Sequence, residues 1–482
     1  MIHWLKLVIG PVAFALVMLL PLQLSYEGRI ALATFAATIC WWVAQPMPWA
    51  IAALLPMVIF PIAGVMNIRE TIQLYGQPIF FWILGTVLMG YALEKHGLAK
   101  RFAFRFLSTR LIATRVPLLF FAHMLVTGLI SMFVSDAATI AMMMPIGLSM
   151  VANIQTLSGM PVRRGTAMGA FVTLGTFYGA VAGGTGTILG IPHNAVAISL
   201  AESLAGRSIT FFSWLVVGVP LFLVLLTAFY LILRVMVPLE IDRLPAVGGL
   251  LERERDQMGA MSGAEKRVLL LFATMVILFT LPAAVSMAFG FAHPLTARVE
   301  DALDIWTIPP ILLFLLFLIP AGKPGGDTLL TWKDATHHAP WNAMILCMGA
   351  VAMADALTRF GFVQFMKVFV EGADLSPVGL VYAAAFVVAW STDFMSGAAA
   401  MTLFGNIFIP AAQAAGLNPA SMAMMIANVS LGLTFPWAGA AAASAFSLGD
   451  VDMRQMIKVG IPITFAFATL AATIHLLLGH LV

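Results

Sequence analysis

Two short stretches of this sequence set ion-binding groups inside apolar runs. In the first, Ser131, Ser135 and Asp136 lie close together and are followed by Ala137, Ala138 and Thr139. An ionisable side chain at membrane depth costs roughly 2.5–3.5 kcal/mol on insertion scales, so it marks a site by default. A cation-coordinating or proton-carrying role for Asp136 stands beside a plain helix-capping role, which Asp performs well. The second stretch carries Thr392, Asp393, Ser396, Gly397 and Ala398 in a similar order. Asp393 reads equally as a structural hydrogen-bond acceptor or as a coupling group. Small and hydroxyl residues at these places favour ending one helix and capping the next. Each stretch is therefore read as the tip of a re-entrant hairpin, with the first turn at residues 135–137. Irregular backbone at membrane depth persists only where it is buried in protein or lines a cavity.

The elements that must hold these groups follow from composition. Of 482 residues, 61% are hydrophobic and only 10% charged, against about 25% charged in soluble domains. The chain is an all-α polytopic membrane protein. Cys40 and Cys347 sit in apolar runs and read as packing residues, with no disulfide framework or metal spacing. An apolar run of about 20 residues spans a bilayer. That length places helices near 5–22, 28–45, 49–66, 76–95, 211–236, 268–290, 307–320, 340–360 and 453–478. Segment 95–115 alternates basic residues with phenylalanine and reads as a surface helix. The hairpins cover 116–151 and 378–412. Two further segments, 165–204 and 418–447, are broken near residues 183–194 and near Pro436. The whole is expected to hold about 11 transmembrane helices plus the two hairpins.

The charged stretch 240–267 reads as a cytoplasmic linker between two halves. The halves echo each other: Gly97 with Gly361, Ser135 with Ser396, and Val217-Gly218-Val219-Pro220 with Val459-Gly460-Ile461-Pro462. Threading the spans with the N-terminus inside puts most of the 25 Lys and Arg on the cytoplasmic side. The C-terminus then lies outside. The hairpins open from opposite sides, as an inverted-topology repeat around a midplane site requires. Residues 1–75 and 268–339 would be scaffold, 76–239 the first repeat and 340–482 the second. No nucleotide-binding loop follows the glycines at 183–186, because no Gly-Lys-[Ser/Thr] is present.

From about residue 76 to 478 the chain resembles the divalent anion:sodium symporter family of dicarboxylate, tricarboxylate and sulfate carriers. In that family each hairpin tip reads Ser-Asn-Thr and each broken helix carries a Thr-Pro-Pro-Asn-like loop. Here the tips read Ser135-Asp136-Ala137 and Ser396-Gly397-Ala398. The loops read Gly190-Ile191-Pro192-His193-Asn194 and Pro436-Trp437-Ala438-Gly439-Ala440-Ala441. The resemblance implies an elevator-type homodimer in which a transport domain of hairpins and broken helices moves against a scaffold. It also implies a first cation site, possible for sodium, at Ser131, Ser135, Asp136 and carbonyls near Gly184 and Gly186. A second would use Thr392, Asp393, Ser396, Gly397 and a carbonyl near Ala438. Ala137, Ala398, Pro192 and Pro436 stand at substrate-contacting positions.

The expected function is secondary active transport of a small anion in a bacterial plasma membrane, cation-coupled and without other cofactor, enzyme activity or nucleic-acid partner. Half-helix N-termini after Ser135 and Ser396 would face the anion. Hydroxyls of Ser135, Ser396, Thr185 and Thr187, with Asn194, would add hydrogen bonds. His193 could donate to the anion or carry a proton. A cation-independent exchanger is the nearest rival; a channel and an intramembrane enzyme are the others.

Overall fold

A computed structural model describes residues 2–109, 115–239, 241, 255–290, 293–322, 327–362, 364–365 and 376–482. Among these, helices make all the regular structure apart from isolated bridges such as Pro320 with Thr328. Half of the expected linker, residues 240 and 242–254, lies outside the described residues, as do residues 110–114 of the basic segment. The linker ends sooner than its charge suggests. Ser262 and Glu265 form a capping box that starts the helix Gly263–Phe289, so Glu265, Lys266 and Arg267 already belong to the helix.

Among the described residues, seven helices are long and apolar enough to cross a membrane, including Asp136–Leu157, Ala167–Gly186, Phe211–Met236 and Met453–Leu481. They differ in role. In Gly263–Phe289 only 22% of the apolar window is buried, whereas in Ala167–Gly186 it is 94%. The first faces outward; the second is the centre of the molecule. Shorter apolar helices make up the rest, including Val116–Ser131, Asn194–Ala205, Pro377–Ser391 and Pro419–Val429. At 1.5 Å per residue a 12-residue helix such as Asn194–Ala205 reaches only about 18 Å, half of a bilayer crossing.

The expected single helix at 49–66 is instead two pieces, Trp49–Ala52 and Leu55–Ile62. Pro56 has no N–H to give the Ala52 carbonyl, so the ladder breaks there. The gap is used: the Tyr75 hydroxyl donates to Ala53 O at 2.7 Å. Gly349 crosses at the same point, where a Cβ would stand 2.3 Å from Ala53 O. Three short amphipathic helices went unread in the sequence: Ile68–Tyr75, Pro294–Ala302 and Trp332–His338. The first and third both open with a capping box, Asn67 with Glu70 and Thr331 with Asp334. These pairs stand at the offset that separates Gly97 from Gly361, two glycines that both adopt positive φ. The internal similarity thus begins before residue 76.

The central helix Ala167–Gly186 packs against Val116–Ser131 through glycine. A Cβ on Gly179 would lie 2.7 Å from Met124 O, and one on Gly183 2.1 Å from Gly128 O. Only small residues at four-residue spacing let two backbones come this close.

Candidate functional site

The first helix break spans residues 132–135. Val116–Ser131 ends, Ser135 takes the N-cap position, and Asp136 is the first helical residue of Asp136–Leu157. The turn therefore precedes the expected 135–137. Asp136 Oδ1 accepts from the N–H of Ala137, the next residue, at 2.8 Å. A capping carboxylate instead accepts from N–H groups two or three residues on, so the cap reading of Asp136 lacks its geometry. Ser135 makes no side-chain cap bond either. Ser131 Oγ is buried with no partner. Ser135, Asp136 and Ala137 are half-buried.

The second break is built differently. Ser396 caps Gly397–Ala414, its Oγ accepting from Ala399 N–H at 3.2 Å. Thr392 Oγ1 donates to Ala389 O at 2.8 Å. Asp393 is fully buried, and its Oδ1 accepts from the N–H groups of Leu433 and Thr434, both at 3.0 Å. Oδ1 therefore makes structural hydrogen bonds. Its Oδ2 has no partner. Ser396, Gly397 and Ala398 are half-buried.

The broken segments supply two loops. In residues 187–193, Thr187 Oγ1 donates to the carbonyl of Met132 and accepts from Leu189 N–H. Asn194 Nδ2 donates to Gly184 O at 3.3 Å and Thr187 O at 3.1 Å. Thr185 Oγ1 donates to Ala182 O, and its carbonyl takes the Trp214 indole N–H. Gly186 ends the helix against the Met132 side chain. Thr185, Thr187 and Asn194, expected to meet the anion, thus commit these donors to backbone carbonyls and are fully buried. Pro192 is half-buried; His193 is buried and its Nε2 has no partner. In the second loop, Pro436 and Ala438 are buried, and Ala438 packs on Gly432.

The four breaks form one chain of contacts. Thr187 ties the first tip to the first loop, and Asp393 ties the second tip to the second loop. His193 of the first loop touches Gly397 of the second tip, where a Cβ would lie 2.8 Å from its Cε1. Tyr178 on the central helix donates to Leu433 O at 3.3 Å. A further link had no sequence signal: Asp450 accepts from Gly165 N–H at 2.8 Å, and its own N–H donates to Thr173 Oγ1 at 2.8 Å. The glycines at 175, 179 and 183 did carry one, their spacing. Elsewhere, His123 Nε2 lies 2.9 Å from Thr176 Oγ1. That hydroxyl already donates to Val172 O, so the imidazole is the donor, a structural role. Among the described residues no three His, Cys, Asp or Glu gather as a metal site; the oxygen groups at Ser131, Ser135 and Asp136 suit only a hard cation.

The profile of the sodium:sulfate symporter transmembrane region matches residues 1–482. The chain belongs to the sodium:sulfate symporter family. Members of this family are membrane transporters, and this one is not an enzyme. The sodium-dependent dicarboxylate transporter SdcS of Staphylococcus saprophyticus is 29% identical over 468 residues, covering 94% of this chain and 87% of that protein. SdcS of Staphylococcus aureus strain bovine RF122 is 28% identical, with the same coverage. Two solved structures share the symporter's fold. The Alcanivorax borkumensis YdaH transporter aligns with a TM-score of 0.54 at 12% identity, over 86% of this chain and 89% of its own. MtrF of Neisseria gonorrhoeae, described as one of a class of antimetabolite efflux pumps, aligns with a TM-score of 0.54 at 13% identity over 96% of each.

Proposed function

We propose that the protein is a secondary active transporter that carries a small anion of the dicarboxylate, tricarboxylate, sulfonate or sulfate class together with sodium. The observation that carries this reading is the meeting of four helix breaks through Met132–Thr187, His193–Gly397 and Asp393–Thr434. Broken helices meeting at one place are the hallmark of a transporter site. The helices starting at Asp136 and Gly397 present their positive ends to it. Ser135, Ser396 and the unpartnered His193 Nε2 are the groups left to hold an anion, with Ala137, Pro192, Ala398 and Pro436 shaping its walls. The names of the relatives support sodium and a dicarboxylate as cargo.

Coupling follows from charge. At 4 Å and an effective dielectric of about 20, an ionised Asp136 and an anion repel by about 4 kcal/mol, roughly a thousandfold in affinity. Sodium held by Ser131, Ser135 and Asp136 removes that repulsion, so anion and cation load together. The hairpins, re-entrant from opposite sides, and the broken segments move as one body against the remaining helices, in a homodimer of a bacterial plasma membrane with the N-terminus inside.

Uptake into proteoliposomes tests the reading. A dicarboxylate, a tricarboxylate, an alkyl sulfonate and sulfate are each offered with sodium and pH gradients imposed separately. The expected result is uphill accumulation of at least one of them under an inward sodium gradient. Exchange of preloaded anion with no response to either gradient would make the protein an exchanger, and steady single-channel current would make it a channel.

A further inference from the structure

We infer that each protomer binds a single sodium ion, at the first hairpin tip, because the pseudo-equivalent position at the second tip is closed by His193 and the Ser430 carbonyl. This rests on the sodium-coupled reading proposed above. A fold built from two similar halves offers two similar tips: Ser131, Ser135 and Asp136 in one correspond to Thr392, Ser396 and Gly397 in the other.

The two sets differ in what their oxygens already hold. In the first, Ser131 Oγ is buried and has no partner. Ser135 Oγ makes no cap bond, and Asp136 engages only the adjacent N–H through Oδ1. A buried hydroxyl without a partner costs free energy, and a cation beside it removes that cost. In the second set every corresponding hydroxyl is engaged. Thr392 Oγ1 donates to Ala389 O, and Ser396 Oγ accepts from Ala399 N–H. The third ligand is missing altogether, since Gly397 has no side chain.

Nor could position 397 regain one. A Cβ there would stand 2.2 Å from Ser430 O, 2.8 Å from His193 Cε1 and 3.3 Å from His193 Nδ1. The imidazole and a backbone carbonyl occupy the volume that a side-chain ligand needs. The second acidic group nearby, Asp393, spends Oδ1 on the 433–434 loop and has only Oδ2 without a partner. The second tip thus offers one unpartnered oxygen and no room for a further side-chain ligand, whereas the first offers Ser131 Oγ, Ser135 Oγ and the free oxygen of Asp136.

The test is equilibrium binding of radioactive sodium to the purified full-length protein, with sodium-dependent thermal shift as a second readout. The expected result is one ion per protomer and a Hill coefficient near one. Ser131→Ala should raise the half-saturating sodium concentration about tenfold, the loss of roughly 1.4 kcal/mol. Thr392→Val, at the corresponding place in the second half, should leave both the concentration and the Hill coefficient unchanged. Two ions per protomer, or a Thr392→Val effect equal to that of Ser131→Ala, would overturn the inference while leaving sodium coupling intact. No bound sodium at all would overturn both.

Discussion

His193 and Gly397 are in contact although they belong to opposite halves of the chain: a Cβ on Gly397 would lie 2.8 Å from His193 Cε1. The second hairpin tip can approach the first loop only because residue 397 has no side chain. Gly397→Ala should therefore force the tip and loop apart, costing about 1–3 kcal/mol as overpacking does and abolishing transport. Gly439→Ala is the control, since nothing lies within 4 Å of a Cβ at that position. Thermal unfolding and uptake, measured on both variants, check this. Equal behaviour of the two would refute it.

Asp136→Asn should keep the helix start, because Ser135 holds the N-cap position and the amide oxygen can still accept from Ala137 N–H. It removes the charge that sodium neutralises. Anion binding should persist with its sodium dependence weakened at least about tenfold, and uphill accumulation should fail. Wild-type sodium coupling in this variant would remove Asp136 from the coupling role.

Gly183→Ala should weaken the packing of the first hairpin on the central helix. The added Cβ meets Gly128 O, a backbone atom that cannot turn aside. A loss of about 1–3 kcal/mol is expected, read as a lower unfolding temperature in detergent.

Arg101 clamps the surface helix Leu98–Leu107 to the start of Gly263–Phe289. Its Nε lies 2.9 Å from Glu265 Oε1, and its Nη1 donates to Gly259 O at 2.7 Å. Glu265 is 7% exposed, so Arg101→Met strands a buried carboxylate. The cost should be about 3 kcal/mol. Adding Glu265→Gln should recover part of it, which a double-mutant thermal-unfolding cycle measures.

Asp334 gives an acid-sensitive contact outside the membrane spans. Burial alone would raise its carboxyl, but hydrogen bonds from Lys95 and Thr331, with the Lys95 charge, outweigh it and hold the group near 2, below its ordinary 3.8. The stabilisation is therefore complete above pH 4 and fades as pH falls through 2, an effect of about 2 kcal/mol. Unfolding temperature should drop on acidification in the wild type more steeply than in Asp334→Asn. Parallel curves would show that Asp334 contributes nothing.

The two helix breaks and the two loops were legible because their signals are local. Ser396 before Gly397, Pro192 and Pro436 each end or start a helix within a few residues of themselves. Amphipathic helices such as Trp332–His338 were missed because seven residues are too few for a period to emerge. The break at residues 53–54 was hidden because Pro56 sits within an otherwise apolar run while its missing N–H acts on Ala52, four residues earlier.

The sequence alone determined that the chain is helical and lives in a membrane, and where its apolar segments are interrupted. Apolar length and hydroxyl and glycine placement are properties of neighbouring residues, and they need no partner to be read. Tertiary structure alone decided which polar atoms are engaged. Ser131 and Thr392 look alike in sequence, yet one hydroxyl is unpartnered and the other bonded to Ala389 O. His193 reaches Gly397 only after the first broken segment packs between the second hairpin and Pro419–Val429. The His193–Gly397 contact joins residues far apart in the chain, and backbone close approach, not any local pattern, sets it.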